Sequence, residues 1–214
     1  MSKVGRNTAV VVTVAALAAV GLGGGVGWVV ASRSGPAEKA EPPVACDQPR
    51  PTDPPAYAGL CAALNRPDLP ALMGTPEDRV TAARPAPFAL GDPTVEVRLG
   101  RSVVVLTDSS VTVEDLADMS QFFPAPATLL GHPATIYSTH AMTFGAGADG
   151  KVSTGSGPRT RNLAVAKDPK APGGRAYEIA VFTTDGTPVD EQALYQLAET
   201  VLPTLPGWAA AAAS

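Results

Sequence analysis

The sequence contains two cysteines, two histidines and 5% aromatic residues in 214 positions, and each scarcity removes a class of chemistry. Cys46 and Cys61 alone cannot build a disulfide-rich scaffold or a four-thiolate zinc site, and their spacing is not that of a CxxC redox pair. His132 and His140 lack the spacing of a zinc-binding pair, and no Gly-x-Ser-x-Gly elbow is present to carry a nucleophilic serine. No metal and no cofactor are therefore expected. Basic residues are in deficit too. Lys3 and Arg6 stand before a long apolar run and take two of the 16 basic residues, leaving 14 against 20 acidic ones beyond it. Such a surface repels phosphate backbones and offers no basic stripe for counterion release, so no nucleic-acid partner is expected. No long sequence period repeats, which excludes a solenoid.

Charge is absent altogether from Asn7 to Ser32, a run of 26 residues. As a helix it would measure about 39 Å, more than the roughly 30 Å of a bilayer's hydrocarbon. The run predicts a single transmembrane helix over 7–32, with the lipid bilayer as its partner. Trp28 falls near the far end, where an indole suits the interface. Residues 1–6 form a short cytoplasmic N-terminus, whose Lys3 and Arg6 favour N-in, C-out insertion. The alternative is a signal peptide cleaved after Val29-Val30-Ala31; against it, the apolar run exceeds the roughly 7–15 residues of a signal core. Ala19, Gly23 and Gly27, like Gly21 and Gly25, share a four-residue spacing, which would permit weak helix–helix self-association.

Proline, with 22 residues, is abundant. Pro36, Pro42, Pro43, Pro49, Pro51, Pro54 and Pro55 make residues 33–56 a semi-rigid spacer near polyproline II. Outside the cytoplasm an isolated cysteine pair is usually oxidised, so a Cys46–Cys61 disulfide is expected to staple the end of this linker to the first helix. Residues 57–208 then form one extracytoplasmic domain, followed by an Ala-rich tail at 209–214.

Within that domain, Tyr57 to Asn65 and Leu69 to Met73 read as short helices, the second ended by Gly74. Thr75-Pro76-Glu77-Asp78 has the cap, proline and early acids of a brief third helix. Val95, Val97 and Leu99 alternate with polar residues, Gly100-Arg101 turns the chain, and Ser102 to Thr107 continues as a Val/Leu strand: a hairpin. Thr112 to Phe123 reads as a helix stopped by Pro124. Ala127–Leu130 and Ala134–Thr139 flank a bend at Gly131-His132-Pro133. Gly145 to Pro158, rich in Gly and Ser, reads as a mobile loop. Leu163 to Ala166 is short and apolar, Asp168 to Gly174 is a turn region, and Ala176 to Thr184 is a strand with Tyr177, Ile179 and Val181 on one face. Thr187 and Pro188 are placed to open a closing helix whose apolar stripe includes Leu194, Leu197 and Val201. The fold class is α+β, with a mainly antiparallel sheet and a C-terminal packing helix.

Candidate chemistry is sparse. Gly145 to Gly150 spells GxGxxG, but no helix starts within it to present amide dipoles to a pyrophosphate. Ser153 and Ser156 lie in a glycine-rich stretch without elbow spacing. Asp108, Glu114, Asp115 and Asp118 form an acidic group that carboxylate chemistry would allow to hold a cation, although acids at a helix start also answer its dipole. Lys151, Arg159, Arg161, Lys167, Lys170 and Arg175 form a basic stretch. It would suit envelope phosphates, although such a run more often forms a solvated surface, here placed to pair with the acidic group. A Ser-His-Asp arrangement would need His132 or His140 beside a serine and an acid.

Three features are similar to secreted actinobacterial domains: Cys61-Ala-Ala-Leu64 running to Leu72-Met73-Gly74, the Leu130-Gly131-His132-Pro133-Ala134 bend, and the closing strand and helix from Tyr177 to Leu202. The pattern resembles a Streptomyces-type membrane-anchored family of unknown function. Its element order is also similar to secreted lipoproteins with a PsbP-like α+β sandwich, across residues 57–208; their lipidated cysteine is not matched here. The resemblance implies a fold and supplies no catalytic residue. The reading is thus a single-pass protein of the cell membrane, with its C-terminal domain extracellular, that binds a protein or envelope ligand without catalysis. The alternative is an envelope hydrolase using His132 or His140.

Overall fold

The computed structural model describes residues 43–86, 91–146 and 152–211. The chain divides into two units, Met1–Lys39 and Ala40–Ser214, and all the described residues belong to the second. The expected membrane helix at 7–32, its small-residue stripe and the linker up to residue 42 lie outside the described residues. Among the described residues no helix is long and apolar enough to cross a membrane.

Seven antiparallel strands form one sheet in the order β1-β2-β3-β7-β6-β5-β4. They are β1 Val80–Pro85, β2 Thr94–Leu99, β3 Ser102–Ser109, β4 Ala125–Leu129, β5 His132–Ala146, β6 Val152–Ala166 and β7 Ala176–Thr183. The alternation in β2, β3 and β7 places Val95, Val97, Leu99, Val104, Leu106, Ile179 and Val181 on one face, all buried. Two helices cover that face. In α1 (Tyr57–Leu64) the buried residues Tyr57, Leu60, Cys61 and Leu64 recur at i, i+3, i+4 and i+7. In α4 (Glu191–Val201) Leu194, Leu197, Ala198 and Val201 do the same. That spacing puts all four on one side of a helix, the condition for packing on a sheet. A short α2 (Leu69–Leu72) precedes β1. The opposite face receives α3 (Val113–Asp118), which carries the chain from β3 to the far edge at β4 and packs Leu116 against Tyr137 and Ala164. Thr112 and Asp115 close a capping box at its start, satisfying two of its orphan donors.

The expected α+β class and antiparallel sheet are found, and so is the Cys46–Cys61 disulfide, which ties the proline-rich segment to α1. Several local expectations are corrected. Thr75 to Asp78 is a single turn closed by the Asp78 amide on the Thr75 carbonyl, and β1 follows. That strand's period is broken by a bulge between Val80 and Ala82, which hides it from an alternation test. The helix expected to run to Phe123 ends at Asp118, and Ser120–Phe122 forms a separate 3-10 turn. Gly145 to Pro158 is no loop where described: β5 and β6 run through it, held by a ladder that reaches Ala146↔Val152. The closing helix is capped by Asp190, whose side chain accepts from the Gln192 amide, not by Thr187. The Thr187 amide is already engaged by Asp185 and its carbonyl by the Thr183 hydroxyl, so the chain is still turning there.

The β4–β5 turn is Leu130-Gly131, both with positive φ, at 50° and 80°. Two such residues make the type I′ turn that matches strand twist, for which Asn-Gly is the favoured pair. Leucine is a poor choice at positive φ and is 45% exposed here. Leu130→Asn should therefore raise stability by about 0.5–1 kcal/mol, read as a higher urea midpoint at unchanged slope.

Candidate functional site

The two histidines are held on one strand and kept apart by it. His132 opens β5, paired with Leu129, and is fully buried; it is a strand residue and not part of the bend. Its ring stacks on Trp208 with centroids 3.9 Å apart. Its Nδ1 lies 2.7 Å from the Ala166 carbonyl oxygen. A carbonyl only accepts, so Nδ1 carries a hydrogen and donates it. Nε2 is buried, with no hydrogen-bond partner among the described residues. His140 is exposed, lies mid-strand in β5 and pairs with Arg159. Eight residues of strand separate the two rings, about 27 Å. Among the described residues neither is hydrogen-bonded to an acid or a serine. Ser156 is exposed and paired with Met142; the side chain of Ser153 and residues 147–151, with most of the GxGxxG sequence and Lys151, lie outside the described residues.

The acidic and basic groups meet each other. Asp108, at the end of β3, is contacted by Lys167 Nζ at 2.6 Å and by Arg175 at 3.0 Å. Lys167 also sits 4.1 Å above the Tyr177 ring. Arg175 reaches Asp92 as well, and Asp92 accepts from the Ser110 amide and hydroxyl. The hydrogen bond that Arg175 donates to Asp108 raises the Arg175 pKa, and burial, reinforced by Asp108, pushes the Tyr177 phenol up to about 12. Arg161 pairs with Glu191 at 2.7 Å. Asp115 is spent in the capping box, while Glu114 and Asp118, like Arg159 and Lys170, are exposed. This network joins the start of β7 to the end of β3.

Sequence reasoning missed a polar pair on the second face. The Tyr137 hydroxyl donates to Glu178 Oε1 at 2.6 Å, under the edge of α3. Burial pushes the Glu178 carboxyl well above the ordinary range; the Tyr137 bond pulls it back only in part, and Asp92 adds to the rise. Burial likewise raises the phenol of Tyr137. Along β7, Glu178 alternates with Tyr177 and Ile179 and so looks solvent-facing; only the covering by α3 makes it otherwise. Because its folded pKa is raised, the stability associated with Glu178 is fully present below the unfolded carboxylate pKa and lost as pH rises through the folded one. Glu178→Gln should thus raise the melting temperature at neutral pH, and the gain should vanish on titration to acid. A gain independent of pH would refute the assignment.

The feature that stands out from the domain is an arm. Pairing of β4 with β5 ends at Ala125↔Ile136, and pairing of β7 with β6 ends at Val181↔Arg161. Beyond those points β5 and β6 pair only with each other, past a bulge between His140 and Met142, out to Ala146↔Val152. Met142 on this arm is 65% exposed. Beside its root, two residues before β4, Phe123 is 81% exposed with φ of 51°. A displayed aromatic on left-handed backbone, next to Pro124, is a costly arrangement, and such residues concentrate at functional surfaces. Elsewhere, a shallow depression of about 620 Å³ beside α1 is lined by Gly59, Ala63, Arg66 and Asp68 among others; it gathers no catalytic group.

One family model matches the sequence over residues 3–123: Family of unknown function (DUF6215). The chain belongs to this family. The match runs from the N-terminal segment through the 3-10 turn before β4, so the matched residues of this chain take in the apolar run, both cysteines and the elements from α1 to β3. No curated protein and no solved structure matches the chain.

Proposed function

We propose that this member of the family is a membrane-tethered recognition domain, inserted through residues 7–32 with its N-terminus inside, and that the β5–β6 arm is its binding element. The arm carries the reading: a two-stranded ribbon, ten residues long on β5 and nine on β6 beyond the last pairings with β4 and β7, contributes little to a core at its outer end, and a lone hairpin is marginal in water, so its use lies in contact with something else. The disulfide supports an oxidising compartment. The charge-free run preceded by Lys3 and Arg6 supports the tether. We read the domain as non-enzymatic because His132 is clamped between Trp208 and the Ala166 carbonyl while His140 lies about 27 Å away along the same strand. The element order leads us to place it among actinobacterial envelope domains of PsbP-like build.

Fractionation of expressing cells tests the tether. The full-length chain should stay with carbonate-washed membranes and its cysteines should resist thiol labelling until reduced. Recovery in the soluble cytosol with both thiols reactive would overturn the reading.

A further inference from the structure

We propose that the free edge of β5 on the arm pairs antiparallel with the same edge of a second copy of this chain. The inference rests on the recognition role of the arm and names its partner. Every sheet edge exposes unpaired amide and carbonyl groups, and natural proteins blunt such edges with short strands, prolines, charges or bulges. The other edges among the described residues follow that rule. At one end β1 carries Arg84, Pro85 and a bulge, and its Ala83 carbonyl is taken by the Asp47 amide. At the other, β4 has five residues including Pro126. On the arm, the β6 edge carries Pro158 and Arg159. The β5 edge is the exception, because the extra residue of the arm's bulge lies on β6, between Ser156 and Arg159, and not on β5. From His140 to Ala146 it reads His-Ala-Met-Thr-Phe-Gly-Ala, with no acid, no lysine or arginine and no proline, over about 24 Å.

A second copy is the occupant this edge suits. Two identical strands pair antiparallel about a two-fold axis, so one patch serves both sides. Without formal charge, self-pairing brings no like charges together. With the axis at Thr143, His140 lies opposite Ala146 and the exposed Met142 sits diagonal to its own mate. One strand junction buries less than the roughly 1,600 Å² of a standard interface, so the contact is weak in dilute solution. Tethering both copies to one membrane raises their effective concentration and favours it.

Single cysteines placed at Ala141, Met142, Thr143, Phe144 and Gly145 of the full chain in phosphatidylcholine liposomes test the pairing, with mild oxidant and non-reducing gels. Cross-linking should peak sharply at one position, expected at Thr143, and Met142→Lys in that background should lower the yield at least about 5-fold by setting two ammonium groups near each other. Met142 is 65% exposed, so the lysine leaves the fold intact, and an unchanged melting temperature verifies it. A flat profile, no cross-link above the unsubstituted chain, or indifference to Met142→Lys overturns the proposal. A sharp peak in a chain that needs no membrane would instead discard the tether and keep the pairing.

Discussion

Cys46→Ser combined with Cys61→Ser is expected to lower stability by about 3 kcal/mol. The bond joins residues 15 apart with Cα atoms at 6.3 Å, and in the chain-entropy model closing such a loop restricts the unfolded chain by about that amount. For a domain of this size each kcal/mol moves the melting temperature by roughly 2–4 °C, so the double variant should melt about 6–12 °C lower. The loss is not confined to entropy. Cys61 is fully buried in α1, and the segment it holds makes two further contacts: Asn65 Nδ2 donates to the Val44 carbonyl at 2.6 Å, and the Asp47 amide to the Ala83 carbonyl at 2.8 Å. Releasing the bond frees the segment that covers the outer side of β1. Reduction of the unsubstituted protein should reproduce the loss. A shift under about 2 °C in either experiment would mean that packing alone holds the proline-rich segment in place.

His132→Ala should cost about 2–4 kcal/mol, combining a cavity with a buried carbonyl left without its donor. The ring fills the space between the β4–β5 turn and the C-terminal segment, where the Ala209 amide also donates to the Lys167 carbonyl and the Tyr177 hydroxyl to that of Pro206. Loss of the ring should unlatch that segment and expose Trp208, read as a red shift of indole emission together with a lower urea midpoint. His132→Phe keeps a stackable ring and forfeits only the Ala166 bond, so it should fall between the two. His140→Ala, at an exposed position, should change stability by less than about 0.5 kcal/mol. Equal effects of the two alanine variants would contradict the assigned roles.

These contrasts show why two histidines that look alike in the sequence differ in the fold. Nothing local distinguishes His132 from a turn residue: it follows a glycine and precedes a proline. Its burial comes from Trp208, 76 positions later, and from Ala166 on the neighbouring strand. Glu178 is similar. Alternation within β7 assigns it to the face opposite Tyr177 correctly, but whether that face is wet depends on α3, which belongs to a different part of the chain. The arm escaped for another reason. Glycine has low strand propensity, and the ladder that carries β5 and β6 through this stretch, in a register shifted at the bulge between His140 and Met142, is a pairing between two segments that no local pattern shows.

Periodicity was sufficient wherever an element buries one continuous side. The apolar stripes of α1 and of α4, the alternation of β2 and β7, the Gly100 turn and the cysteine pair could all be read from residue order, because a helix or strand must present its apolar groups to one side whatever it packs against. The burial of Tyr57 and Ala198 could not. Order along the chain could not reveal the joining of β3 to β7, the second layer made by α3, which members of the acidic and basic groups meet, or an unguarded edge on β5. Each of these is a relation between segments far apart in sequence, and the free energy that selects it arises only when the sheet closes and water leaves the space between them.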